Sequence, residues 1–385
     1  MKRVFFKKFN RIPLNNYDIL NKGISYHAKL HIDLCKFVKL TPFNWNSNEA
    51  KIEIKEENWK SGRILVYAIH LTILLLMLYE TIQNSILRKD ADSQGNFVRM
   101  TLLILQIGTP VYHQVVWSDT LEFCALLNGL LNFNKLQIGN LNNSTVRMVL
   151  SVVKISTLLC PLSFAMVMIF APMTPPFPTS LITLRETWNR AGFLILVEIV
   201  EIWNMLEYML HGYFICSVVI LANAGIYIGI KSIENRSIKS ALPKYRIIQL
   251  LAVQTNVCFR NSVHLSITFV CILLGIVCNG AVVKYYNLLS PRALVAMVVV
   301  GAQTNVIGLL CYRIPGMVNW MSRALLQNWK RELSRRRNVV ERKCLRSLSQ
   351  LKVQFGNVNF FERKTCLVVV DFQIQQTINM LLLMQ

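Results

Sequence analysis

Apolar residues gather into seven stretches, each about as long as a helix needs to cross a bilayer, and polar residues collect between them. A crossing of roughly 30 Å takes about 20 residues at a 1.5 Å rise. The pattern predicts spans at 63–83, 97–117, 148–170, 193–230, 263–285, 293–312 and 366–385. The first has a core, Ile73-Leu-Leu-Leu-Met-Leu78, that is apolar on every face, as lipid contact requires. The third ends at Pro172-Met-Thr-Pro-Pro-Phe-Pro178, because proline cannot continue a helix. The fourth is almost two crossings long. It reads as one tilted or projecting helix, since splitting it would invert everything downstream and put the Arg-rich 323–346 outside. The fold class is all-α, a seven-transmembrane helical protein.

Between spans the period changes from continuous apolarity to one-sided helical spacing. An amphipathic segment is predicted over 121–136. Leu325, Leu326, Trp329 and Leu333 recur on one helix face, as do Leu345, Leu348 and Leu351. They imply inner helices forming a base where subunits meet. The chain divides into an arm at 1–62, a six-helix bundle at 63–312, a helical anchor segment at 313–364 and a seventh helix at 365–385.

Composition agrees: hydrophobic residues make up 53% and charged residues 16%. Charge then orients the chain. Of 42 Lys and Arg, 34 fall in the arm and the alternate connections, 7 in the other connections or span ends, and Lys154 inside a span. Basic residues accumulate on the cytoplasmic side. The N-terminus is therefore expected inside and the C-terminus outside, the opposite sense to a G-protein-coupled receptor. A net charge of +22 raises nucleic acid as a partner, but the charge flanks membrane segments and no nucleic-acid-binding signature accompanies it. The ten cysteines avoid the expected outer loops, so no extracellular disulfide framework is implied. Met1 begins no signal-peptide pattern, so the first span is expected to act as an uncleaved anchor.

Three segments carry a resemblance: Leu40-Thr-Pro-Phe-Asn-Trp45 before the first span, Leu126-Leu-Asn128 with Leu130-Leu131 after the second, and 348–356 entering the last. Together with the topology they resemble the insect gustatory receptor family, within the insect chemoreceptors. That family's last span carries Thr-Tyr, five apolar residues and Gln-Phe. Here Thr377-Ile-Asn-Met-Leu-Leu-Leu-Met-Gln385 stands in that place. Aligning Thr377 puts Ile378 at the tyrosine, Met384 at the glutamine and Gln385 at the phenylalanine; sliding by one makes Gln385 the signature glutamine but loses the threonine and leaves no room for the phenylalanine, so this chain departs from the signature in either register. The resemblance implies a tastant-gated, non-selective cation channel, for instance for bitter or aversive compounds, built as a homo- or hetero-tetramer of gustatory receptor subunits. It implies a plasma-membrane place in gustatory sensory neurons, with four last helices lining the pore. An odorant-receptor-type subunit shares this architecture. A G-protein-coupled receptor is disfavoured by orientation and by the lack of an Asp-Arg-Tyr-like triplet. A transporter would need inverted repeats, which the sequence lacks.

The last span is dense in polar residues, which need water or a partner at that depth. At 100° per residue Gln373, Gln376, Thr377, Met380 and Met384 share one face, with Gln385 at the outer end. These are the expected pore-lining residues, while Asp371, Gln375 and Asn379 are expected to meet a neighbour. In the fourth helix Glu198, Glu201, Met205 and Tyr208 form an acidic, aromatic wall suited to an amine-bearing tastant. With Glu80 at the outer end of the first span, they are the ligand-binding candidates. The histidines are scattered without metal-ligand spacing. No catalytic constellation or cofactor motif stands out, so neither metal, cofactor nor enzyme activity is expected. Membrane lipid and a small-molecule tastant are the expected partners.

Overall fold

A computed structural model describes residues 43–46, 49, 51–54, 119–137, 212, 214–287, 291–335, 339–357 and 359–383, with scattered positions between 29 and 108. Its elements in chain order are strands β1 (Phe43–Asn46) and β2 (Lys51–Ile54), then helix α1 (Thr120–Gln137). Helix α2 (Phe214–Ile233) follows, then α3 (Ile238–Phe259), α4 (Val263–Tyr285), α5 (Pro291–Arg335) and α6 (Val339–Arg346). A small hairpin, β3 (Gln354–Phe355) with β4 (Asn359–Phe360), leads into α7 (Thr365–Leu383). The protein is mostly helical. Helices α2, α4, α5 and α7 are long and apolar enough to cross a membrane. The third span and the first half of the fourth lie outside the described residues. The first two spans appear as helical positions such as Leu71, Leu75, Met100 and Thr101. Leu71, Leu75 and Leu78 are exposed, as lipid-facing leucines would be, whereas Thr101 is buried with its hydroxyl 3.8 Å from the Met297 sulfur of α5.

The arm contains a hairpin that hydropathy did not reveal. Strands β1 and β2 pair antiparallel, Phe43 opposite Ile54 and Asn46 opposite Lys51. One face, Phe43 and Ile52, is buried, which is the period of two that a half-buried strand requires. Asn128 on α1 fixes it: its amide donates to the Ile52 carbonyl at 2.8 Å and its oxygen accepts from the Ile52 N–H at 2.8 Å. That reciprocal pair satisfies both backbone groups of a residue at the join. Phe123 is the hub beneath, with ring centroids 5.8 Å from Phe43, 5.8 Å from Phe214 and 6.1 Å from Phe259. Phe43, in one of the segments that carried the resemblance, thus packs on Phe123 of the helix that carries another, around Asn128.

Helix α5 differs from the sequence expectation. The sixth span and the first inner helix are one uninterrupted helix of 45 residues, about 68 Å at a 1.5 Å rise. Pro315 lies inside it and removes one donor, yet the apolar face continues from Met297 through Val318 to Leu333. The leucines from 325 to 351 pack inside the chain itself. Leu325, Leu326, Trp329, Leu333, Leu345, Leu348 and Leu351 are all buried within the single chain. Trp329 meets Tyr245 of α3 edge to face at 5.8 Å, so this face closes a core within the chain.

Residues 347–361 form a strap across α3 and α5. Tyr245 donates to the Ser349 carbonyl at 2.9 Å, and Gln249 to the Ser349 hydroxyl at 2.7 Å. Asn256 donates to the Lys352 carbonyl at 2.7 Å and accepts from the Gln354 N–H at 2.8 Å. From the α5 side the Ser322 hydroxyl accepts from the Leu351 N–H at 3.1 Å, and Asn319 donates to the Phe361 carbonyl at 3.3 Å. Gly356, at φ +68°, supplies the left-handed turn of the β3–β4 hairpin and donates its N–H to the Arg260 carbonyl at 2.8 Å. The strap ends at α7, so that helix starts from a fixed point.

Candidate functional site in the last helix

Helix α7 begins where the strap leaves α5. The Glu362 N–H donates to the Thr365 hydroxyl at 2.8 Å and the Thr365 N–H returns to the Glu362 carbonyl at 3.0 Å, closing the first turn. From there the helix runs against α4 along a narrow seam. Gln373 and Thr377 are its buried polar residues. The Gln373 amide donates to the Cys271 carbonyl of α4 at 2.9 Å, and the Thr377 hydroxyl donates to the Gln373 carbonyl at 2.8 Å.

Two glycines of α4 make this seam possible. A side-chain carbon at Gly275 would meet the Gln373 amide, and one at Gly280 would collide with the Met380 methyl. Small residues let membrane helices approach closely where no hydrophobic drive separates lipid from protein. Gln373 and Met380 fill the grooves that these glycines leave.

The rest of α7 is open. Phe372, Ile374, Ile378, Leu382 and Leu383 are exposed, and so are Asp371, Gln375 and Asn379. The Gln375 amide donates to the Asp371 carboxylate at 2.9 Å, one turn apart. Asp371, Gln375, Ile378 and Leu382 fall within about 60° of one another at 100° per residue, with Asn379 at the edge. This stripe lies opposite the α4 seam.

Within the single chain α7 thus divides its polar residues between two sides. Gln373 and Thr377, expected toward water, are buried within the chain, Met380 packs into the Gly280 groove, and Gln376 is half-buried. The physical reason is local. A glutamine amide in an apolar helix can find a neighbouring helix carbonyl as readily as water, and Gly275 brings one within reach. Met384 and Gln385, the outermost expected pore residues, lie outside the described residues. So do Glu80, Glu198, Glu201, Met205 and Tyr208, the expected ligand contacts.

Several buried titratable groups lie among aromatic and apolar side chains. His264 packs edge-on between Phe259 at 6.0 Å and Phe361 at 5.2 Å. In the inner layer burial pushes the Cys258 thiol up to about 12 and the Cys124 thiol up to about 11, the latter opposed by a hydrogen bond from Asn128. Burial likewise raises the Tyr245 phenol beyond its ordinary range. These groups stay neutral and structural.

Sequence reasoning missed the strap and the arm hairpin. The available signal was the placing of Asn128, Asn256, Asn319 and Ser322 on otherwise apolar faces, where each needed a backbone partner.

No protein-family model matches this chain, and no curated protein matches it by sequence. Among solved structures the fold is similar to the insect olfactory receptor OR5 from Machilis hrabei, with a TM-score of 0.62 and 12% identity. That similarity covers 93% of this chain and 99% of the receptor. The same receptor in complex with eugenol is similar at a TM-score of 0.54 and 12% identity, covering 92% and 100%. The chain thus shares the insect olfactory receptor fold along nearly its whole length.

Proposed function

We propose that this chain is a subunit of a ligand-gated, weakly selective cation channel of the insect chemoreceptor type. Seven helices cross the plasma membrane with the N-terminus inside, and four subunits surround a pore lined by α7. The observation that carries this reading is the asymmetry of α7. It is apolar enough to span a membrane, yet one seam is buried and the opposite stripe bears Asp371, Gln375 and Asn379. At membrane depth such groups need water or protein around them. Four copies about an axis meet that need with a water-filled pore whose carboxylate and amide rings favour cations. The fold shared with OR5 supports the same conclusion, and one solved form of that receptor holds eugenol.

The ligand is a small organic molecule. Glu198, Glu201, Met205, Tyr208 and Glu80 are the proposed contacts, which favours an amine. The gustatory reading rests on the segments around Trp45, around Asn128 and at 348–356, with only slight weight from the terminal sequence at Thr377, and places the protein in taste neurons, with bitter or aversive compounds as agonists. The odorant-receptor-type reading rests on the fold similarity to OR5. Either way the chemistry is gating and conduction, without catalysis.

The test is whole-cell current in a heterologous cell, with the chain alone and with candidate subunits, against a panel of amines and neutral aromatic volatiles. A ligand-evoked cation current that Asp371→Asn reduces is expected. Surface-expressed, tetrameric protein that passes no current with any partner, or passes anions, would overturn the reading.

A further inference from the structure

The inner end of α7 meets α5 at Gly316, where a side-chain carbon would collide with the Glu362 carbonyl. The missing side chain lets residues 362–363 lie directly on α5. Arg313 stands three residues before Gly316, Trp320 four after it, and Arg323 three beyond that, so all share one helix face. Arg313, Trp320, Arg323, Arg363 and Lys364 are exposed. The Arg363 guanidinium lies over the Trp320 ring, 5.0 Å from its centroid.

We propose that this face binds the phosphate headgroup of an anionic lipid of the inner leaflet. The site rests on the inner placement of this end of α7, given above under the proposed function. Its depth suits a headgroup, because α7 turns apolar immediately after Thr365 and α5 is apolar up to Tyr312. Tryptophan settles at that level with its ring in the interface and its N–H toward water. Guanidinium groups match phosphate oxygens in fork geometry, and a guanidinium stacked on an indole keeps its edge N–H donors free for them. Four cations adjoin one carboxylate, Glu362, so the face is net positive toward the negatively charged leaflet. A protein partner would instead need complementary acidic side chains. A second copy of this basic face would repel the first.

The experiment reads Trp320 fluorescence in nanodiscs of the full chain, as the difference between wild type and Trp320→Phe among the seven tryptophans. Discs contain phosphatidylserine or phosphatidylcholine brominated high in the acyl chain. Quenching of the Trp320 signal by brominated phosphatidylserine is expected to exceed that by the choline lipid by about twofold or more. Arg313→Gln with Arg363→Gln should bring the two lipids level, and Arg363→Lys should keep part of the preference. Equal quenching in the wild type overturns the proposal. So does quenching by neither lipid, which would mean that a protein surface covers Trp320. Loss of the preference on adding inorganic phosphate would assign the site to a free anion instead. No current is measured, so failure here is separate from failure of the channel reading.

Discussion

Helices α4 and α7 lie side by side and are both apolar enough to cross a membrane, yet half of the membrane-length stretch of α4 is buried within the chain and only 11% of that of α7. Helix α4 is surrounded: Val270, Leu274, Val277 and Ala281 are buried, and its glycines receive side chains from α7. Helix α7 packs on the rest of the chain along one seam and leaves its polar stripe open. Hydropathy alone assigns both to the membrane. What separates them is where polar side chains find partners: inward to a carbonyl at Gln373, outward at Asp371, Gln375 and Asn379.

The comparison breaks most readily at the seam. Gly275→Leu places a branched side chain where the Gln373 amide sits, and overpacking there should cost about 1–3 kcal/mol. Thermal aggregation of a fluorescent fusion in detergent should show a clearly lowered midpoint, and ligand-evoked current should vanish. An unchanged midpoint would mean that α7 is not held by α4.

A smaller effect is expected from Gln373→Ala, which removes one hydrogen bond to the Cys271 carbonyl, worth about 0.5–1.5 kcal/mol net. Gln375→Ala, on the open face, should lower the midpoint far less while changing single-channel conductance. If the two substitutions exchanged these effects, the two faces of α7 would be exchanged too.

Much of this was legible in the sequence. The positions of α4 and α7, the inner helical segment and the amphipathic α1 followed from hydropathy period and length. Other features were not, for identifiable reasons. Gln373 and Gln375 are the same residue type two positions apart, and only the location of Gly275 on another helix decides which one is buried. The leucines at 325–351 announce a buried face, but not whether its partner is the same chain; Tyr245 and the strap supply that partner. The continuity of α5 past Tyr312 was hidden because the apolar run stops at Arg313; the helix goes on through Pro315 all the same. Here the lost rung is tolerated while packing on both sides persists. The hairpin at 43–54 is short, and its Asn128 clamp lies more than seventy residues away.

The smallest effect contrasts fully enclosed groups with half-open ones. The Cys258 thiol, held up to about 12 by burial, should resist maleimide at pH 8, because almost none of it is thiolate and solvent does not reach it. The half-buried Cys366 in the first turn of α7 should react faster. Raising the pH moves Cys258 the expected way: the folded state prefers the protonated thiol, so stability declines as pH rises from the ordinary thiol range toward about 12. A stability profile flat across that range in a Cys258-dependent comparison with Cys258→Ala would contradict the enclosure.

The most direct test of the open face is cysteine accessibility along α7 in a background without reactive native thiols. Single cysteines at 371, 375, 378 and 382 should be modified by a charged thiol reagent, faster when ligand is present, with current reduced on modification. Cysteines at 373 and 377 should stay protected in both states, since that seam lies against α4. Rapid modification at 373 and 377 with protection at 371 and 375 would contradict the assignment and return the pore to the opposite face.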